Sequence, residues 1–164
     1  MGIGVQGVHH IGVSVPDLAK AREFYIDLLG AVEEVPPLSW RDNGYIDSVI
    51  GLRNSAADQF MCRLGNTHIE VFEYHAPRSE PQAPDRGVHN FGYTHFGVQV
   101  DDIQACYQRL LAAGIRCHAP PDPNAIKVRE DGSKTGYCAT YCRDFFGNVF
   151  EIMEIHETDE IKPV

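Results

Sequence analysis

The feature that most constrains this chain is an internal repeat. Residues 10–25 read HIGVSVPDLAKAREFY and residues 95–110 read HFGVQVDDIQACYQRL. His10, Gly12, Val13, Val15, Asp17 and Leu18 match His95, Gly97, Val98, Val100, Asp102 and Ile103 at one offset of 85 residues. Each copy ends in a similar segment, His68-Ile-Glu-Val-Phe-Glu73 and Val149-Phe-Glu-Ile-Met-Glu154. Glu70 follows His10 by 60 residues and Glu151 follows His95 by 56. A repeated unit of this size predicts two pseudo-symmetric halves that complete one another's burial.

The same elements can be read within each half. Residues 8–15 alternate as a strand. Asp17 caps a helix carrying Leu18, Ala21, Phe24, Tyr25 and Leu28 on one face, and Gly30 stops it. Strands are expected near 44–50, 59–64 and 67–74. In the second half a strand covers 93–100, and Asp102 caps a helix bearing Ile103, Cys106, Tyr107 and Leu110, which ends at Gly114. Strands follow near 115–119, 136–143 and 148–155. The order is βαβββ twice, an α+β plan. It gives one domain over 1–164, with module one at 7–75, a linker at 76–92, module two at 93–156 and a polar, fraying tail at 157–164. The linker holds Pro77, Pro81, Pro84 and Gly87, which suit an extended connector. Residues 120–134, with Pro120, Pro121 and Pro123, read as a long loop of the kind that often serves as a lid.

Strand alternation then sorts the chemistry. His10, Gly12 and Ser14 share a face, as do His95, Gly97 and Gln99. So do His68, Glu70 and Phe72, and so do Val149, Glu151 and Met153. The opposite faces are mainly apolar and suit packing on helices. A face of small residues with His and Glu is a poor core and a good cavity, and carboxylates placed there need partners. One divalent ion held by His10, Glu70, His95 and Glu151 meets that need. Imidazole and carboxylate suit Zn, Ni, Co, Mn or Fe(II), and the lack of thiolates in the set argues against a structural zinc site.

Charge narrows the partners. With 14 basic and 23 acidic side chains the formal charge is −9, so nothing draws the chain to nucleic acid or to an anionic membrane. No apolar stretch approaches the roughly 20 residues of a membrane span. The N-terminus lacks the regions of a signal peptide, and Gln6 stands where a myristoylation motif wants Ser or Thr. A cytoplasmic location is expected, with Cys62, Cys106, Cys117, Cys138 and Cys142 reduced and packed as small hydrophobes.

The segments VHHIGVSVPDLAKAREFYIDLLG, NTHIEVFE, YTHFGVQVDDIQACYQRLLAAGI and RDFFGNVFEIMEI resemble the vicinal oxygen chelate superfamily. That is the fold of glyoxalase I, methylmalonyl-CoA epimerase, extradiol dioxygenases and fosfomycin-resistance proteins. The resemblance implies paired βαβββ modules whose sheets curl around one metal, with ligands falling on His10, Glu70, His95 and Glu151. It also implies that dimers are common, so a homodimer is an option. Glyoxalase I and the epimerase look like four-ligand sites. Extradiol dioxygenases and fosfomycin-resistance enzymes use two His and one Glu, which map to His10, His95 and Glu151. The approach to Glu70, from Gly65 to Ile69, is similar to that of epimerases, whereas Asp144-Phe-Phe-Gly-Asn148 is the generic family turn.

The leading expectation is a metal-dependent isomerase or lyase that moves a proton beside a chelated carbonyl of a small molecule. Glu151 is the favoured base, with Glu70 as ligand or second base. One alternative is an Fe(II) ring-cleaving dioxygenase assisted by His68 and Tyr93. Another is a metal-free drug-binding protein. Trp40, Arg41 and Tyr45, and Lys127, Arg129 and Lys134, are further candidates for substrate contact, with Arg or Lys suited to an anionic group.

Overall fold

A computed structural model describes residues 2–164. The chain divides into two compact units, the first running to Pro81 and the second covering Gln82–Val164. Each unit is built on one five-stranded mixed sheet. No helix among the described residues is long and apolar enough to cross a membrane.

In the first unit, β1 (His10–Ser14) leads into α1 (Leu18–Arg22), whose last turns continue as a π-helical segment, Glu23–Leu28. The Asp17 carboxylate caps this helix by accepting from the Lys20 N–H at 2.9 Å. Then come β2 (Val32–Glu33), β3 (Leu38–Arg41), α2 (Gly44–Ile50), β4 (Ala56–Leu64) and β5 (Thr67–Ala76). The sheet order is β1-β5-β4-β2, with β3 also on β4. The second unit repeats the plan: β6 (His95–Gln99), α3 (Ile103–Ala112), β7 (Arg116–Cys117), β8 (Lys127–Val128), β9 (Lys134–Arg143) and β10 (Val149–His156). Its order is β6-β10-β9-β7, with β8 on β9. The two-module α+β reading of the repeat therefore holds.

The crossover helices α1, with its π-helical continuation, and α3 each cover the apolar face of their own sheet. Phe24 and Tyr25 are buried with Phe60, Cys62, Ile69 and Val71 in the first unit, and Ile103 and Leu110 with Cys142, Phe150 and Ile152 in the second. Removing each large apolar side chain from water contributes about 1.5–3 kcal/mol. The helix N-termini are fixed by a matching device. The Leu18 N–H donates to Glu73 at 3.0 Å, and the Ile103 N–H donates to Glu154 at 3.0 Å. Both glutamates come from the strand that also carries the candidate ligand, on its other face.

Several expectations are corrected. Residues 44–50 form a helix rather than a strand. Asn43 accepts from the N–H groups of Tyr45 and Ile46, and Gly51 ends the helix in the left-handed region, at φ 70°. Local capping outweighs the apolar alternation of that stretch. The strand expected at 93–100 begins at His95, so Tyr93 lies outside it with its ring fully exposed. Residues 82–92 belong to the second unit rather than to a free connector. The Arg143 guanidinium donates to Arg86 O at 2.8 Å, and that of Arg116 donates to Pro84 O at 2.9 Å. The 120–134 loop contains β8. Residues 157–164 form no helix or strand, and the Val164 N–H donates to the Gln99 side chain at 2.9 Å.

Glu154 is buried and accepts from Lys134 at 3.0 Å and from His156 at 2.8 Å as well as from Ile103. Burial pushes its carboxyl upward, but these hydrogen bonds and the Lys134 charge outweigh it and hold the group below the usual glutamate range. A depressed pKa gives stability that is complete above the unfolded value and is lost as pH falls through the folded one. Glu154→Ala is expected to cost about 2–3 kcal/mol in urea unfolding at pH 7. The difference from wild type should be constant above about pH 5 and shrink as the pH is lowered further.

Candidate functional site

The register of the parallel strands places the candidate ligands. In the first unit His10 lies opposite His68 and Gly12 opposite Glu70. In the second His95 lies opposite Val149 and Gly97 opposite Glu151. Each His is thus one strand over and two residues back from its Glu, on the same face. His10 Nε2 is 3.3 Å from Glu70 Oε2, and His95 Nε2 is 3.5 Å from Glu151 Oε2. Gly97 leaves room for the Glu151 carboxylate. A Cβ on Gly97 would stand 3.4 Å from Glu151 Oε2 and 3.3 Å from the Met153 sulfur, tighter than side chains ordinarily pack.

These separations fit two ligands of one ion. Metal–donor bonds of about 2.0–2.2 Å at 90–110° place neighbouring donors roughly 3.0–3.5 Å apart. Neither Glu70 nor Glu151 has a hydrogen bond to its second carboxylate oxygen among the described residues. The structure brings His10 to Glu70 within the first unit and His95 to Glu151 within the second. No group of three or more His, Cys, Asp or Glu side chains arranged for a metal occurs among the described residues.

The other candidates separate. His68 shares the His10 face but is engaged elsewhere. Its ring stacks on His9 at 5.0 Å, and its Nε2 is 3.4 Å from Glu34, which also accepts from Arg63 at 2.6 Å. Arg41, Tyr45, Lys127 and Arg129 are exposed, and Lys134 is spent on Glu154.

Trp40 is on the ligand face. It pairs across strands with Ala57, which pairs with Tyr74, two and four residues from Phe72 and Glu70. Trp40, Phe72 and Tyr74 form a three-ring wall with centroids 5.7–6.1 Å apart. The indole N–H donates to the Ser55 hydroxyl at 2.9 Å, and Ser55 is in turn tied to Asp47 of α2. Burial, followed by the Glu70 charge, pushes the Tyr74 hydroxyl upward, so Tyr74 stays neutral and able to donate a proton.

The matching face of the second unit differs. Tyr141 lies opposite Glu151, with its ring 4.5 Å from His95 and 6.1 Å from His118. Burial, then Arg143 and Arg116, lowers the pKa of His118, which favours the neutral ring. Phe72, Tyr74, Tyr141 and His118 were not singled out from the sequence. Alternation along 67–74 and 136–143 gives the signal for the first three, since each lies an even number of residues from a same-face neighbour. His118 falls in the stretch expected as a strand near 115–119, but β7 ends at Cys117, so alternation does not fix its face.

Comparison with known proteins decides the family. Residues 9–135 match the profile of the Glyoxalase/Bleomycin resistance protein/Dioxygenase superfamily. The chain belongs to this superfamily. A 2-epi-5-epi-valiolone epimerase from Actinomyces sp. is 30% identical over 122 residues, 73% of this chain and 66% of the epimerase. The mitochondrial methylmalonyl-CoA epimerase of Mus musculus is 33% identical over 117 residues, 66% of this chain and 54% of the epimerase. The chain thus matches somewhat over half to about two thirds of these relatives' length. Among solved structures, a glyoxalase family protein from Bacillus cereus has a TM-score of 0.75 at 18% identity, covering 92% of this chain and 94% of that one. A fosfomycin resistance protein, FosX, from Listeria monocytogenes has a TM-score of 0.57 at 18% identity, covering 96% of this chain and 99% of that one, and was solved with Mn(II). These two structures support the shared fold.

Trp40 is the only tryptophan in the chain, so its emission reports on the ligand face of the first unit. Titrating the metal-free protein with Co(II) is expected to quench that emission in a saturable way. The quenching should weaken at least tenfold in apparent affinity in His10→Ala and in Glu70→Ala. Equal quenching in all three proteins would mean that this pair does not hold the ion.

Proposed function

We propose that this chain is a divalent-metal-dependent epimerase, or a closely related isomerase or lyase, that moves a proton on the carbon beside a carbonyl. The observation that carries the reading is the pair of repeat-related His–Glu contacts, each with ligand-like spacing and each with a carboxylate oxygen to spare. Two such pairs amount to a four-donor set, and His10, Glu70, His95 and Glu151 are proposed as its members. The names of the two epimerase relatives, and the Mn(II) in the Listeria FosX structure, favour this choice.

A divalent cation, when bound, would supply Lewis acidity at the substrate's carbonyl oxygen. This chain's own residues carry the proton. Glu151 is proposed as the base that removes it through the carboxylate oxygen not facing His95. Glu70, proposed to enter the turnover protonated, gives its proton to the same carbon from the other side through the oxygen not facing His10, and exchange with water then resets Glu151 and Glu70. Loss on one face and return on the other inverts the centre and leaves the atoms balanced. The Trp40–Phe72–Tyr74 wall, with its indole locked by Ser55, would seat the substrate's carbon skeleton and exclude water beside Glu70. A homodimer and a cytoplasmic location remain part of the proposal.

Two measurements test it. Metal analysis of the protein reconstituted with Mn(II) or Co(II) should find about one ion per chain, reduced in His95→Ala and in Glu70→Ala. With methylmalonyl-CoA and 2-epi-5-epi-valiolone as probes in D2O, the loaded protein should wash deuterium into the carbon beside the carbonyl of at least one. Glu151→Gln should slow that exchange by about 10²–10⁴-fold. Exchange on neither probe, or exchange untouched by both Glu151→Gln and Glu70→Gln, would overturn the assigned chemistry.

A further inference from the structure

The second unit holds a thiol pair that the metal chemistry does not use. Cys117 of β7 and Cys142 of β9 are directly opposed in the antiparallel ladder, with their sulfurs 2.6 Å apart. The next residue pair is His118 with Tyr141, where the His118 N–H donates to Tyr141 O at 2.7 Å. The cysteines therefore occupy a non-hydrogen-bonded pair, in which Cα atoms approach to about 4.5 Å. That spacing lies within the roughly 4.4–6.8 Å range that a disulfide spans. Cys142 is fully buried on the helix side of the sheet, whereas Cys117 is partly accessible at the sheet edge. A third thiol, Cys106, lies on α3, which packs against β7.

We propose that Cys117 and Cys142 form a reversible disulfide that clamps the edge strand β7 to β9 and closes the segment between them. Closure takes place by exchange with a small-molecule disulfide such as oxidised glutathione. The Cys117 thiol gives up its proton, and its sulfur attacks the small disulfide and releases one thiol. The Cys142 thiol then gives up its proton and attacks the Cys117 sulfur, which releases the second thiol. Two cysteines are oxidised and one small disulfide is reduced to two thiols. Cys117 enters first because it is the one that solvent reaches. Burial pushes both thiols above their ordinary range, so the exchange is slow at neutral pH and quickens as pH rises.

The clamp has a defined target. The enclosed segment contains the proline-rich stretch and β8, held at its base by the Thr140 hydroxyl donating to Ala119 O at 2.7 Å and Gln104 donating to Pro121 O at 3.3 Å. It also carries both His118 and Tyr141, the rings that continue from His95. Fixing β7 therefore steadies one wall of the His95 face without adding an atom to it.

The test uses the wild-type full chain, treated either with oxidised glutathione at pH 8.5 or with a reducing agent. Intact mass should fall by two hydrogens per chain on oxidation, with peptide mapping placing the bridge between Cys117 and Cys142. The oxidised form should melt about 5 °C or more above the reduced form. Cys106→Ser should retain both results and Cys117→Ser should lose both. A bridge to Cys106, a lasting glutathione adduct on Cys117, or Cys117 and Cys142 both still free after prolonged oxidation would each overturn the proposal. The wild-type mass carries the decision even if a variant fails to fold.

Discussion

The parallel pairing of the first and last strands of each half is the constraint on which the rest of the structure depends. It sets a glycine opposite a glutamate, Gly12 to Glu70 and Gly97 to Glu151, and sets each histidine beside that carboxylate. A slip of one residue would send the whole set to the helix side. Parallel pairing needs a crossover, and α1 and α3 provide it. The helices are thus as much a part of the site as the strands, although no helical residue is a candidate ligand.

The strands β5 and β10 serve two faces at once. Glu70 and Glu73 are three residues apart, as are Glu151 and Glu154, and an odd spacing in a strand sends side chains to opposite sides. One glutamate of each pair faces its histidine, and the other accepts from the first N–H of the helix. The carboxylate that anchors the helix therefore fixes the register that places the carboxylate on the site face. The buried Glu154, held by Lys134 and His156, shows how fully that anchoring role is satisfied.

Much of this was legible in the sequence because the repeat and the alternation are local signals. The Asp17 and Asp102 caps, the sorting of His10, Glu70, His95 and Glu151 onto one face of each sheet, and the superfamily all follow from short segments. Residues 44–50 are ambiguous in sequence because apolar residues in a seven-residue stretch fit both periods, and the deciding contacts come from Asn43 and from Asp47 accepting the N–H groups of Asn54 and Ser55. The short strands β2, β3 and β8 carry too few residues to show a period. Trp40 could be noted as a candidate, but its membership of a ring wall depends on which strand lies beside which, and that is a tertiary fact. The same holds for Cys117 and Cys142, which lie 25 residues apart and meet only through the β7–β9 register.

The two halves have kept one part of their common plan and abandoned another. Both retain the His–Gly–Glu arrangement, while the surroundings have diverged into three packed aromatic rings on one side and a Tyr–His array on the other. A duplicated module with this layout separates two kinds of evolutionary freedom. The glutamate opposite each glycine meets the same histidine contact in both copies, whereas the outer strands carry different rings in each. A substitution on an outer strand of one unit can therefore reshape that unit's face while the His–Glu pair of the other keeps its own neighbours.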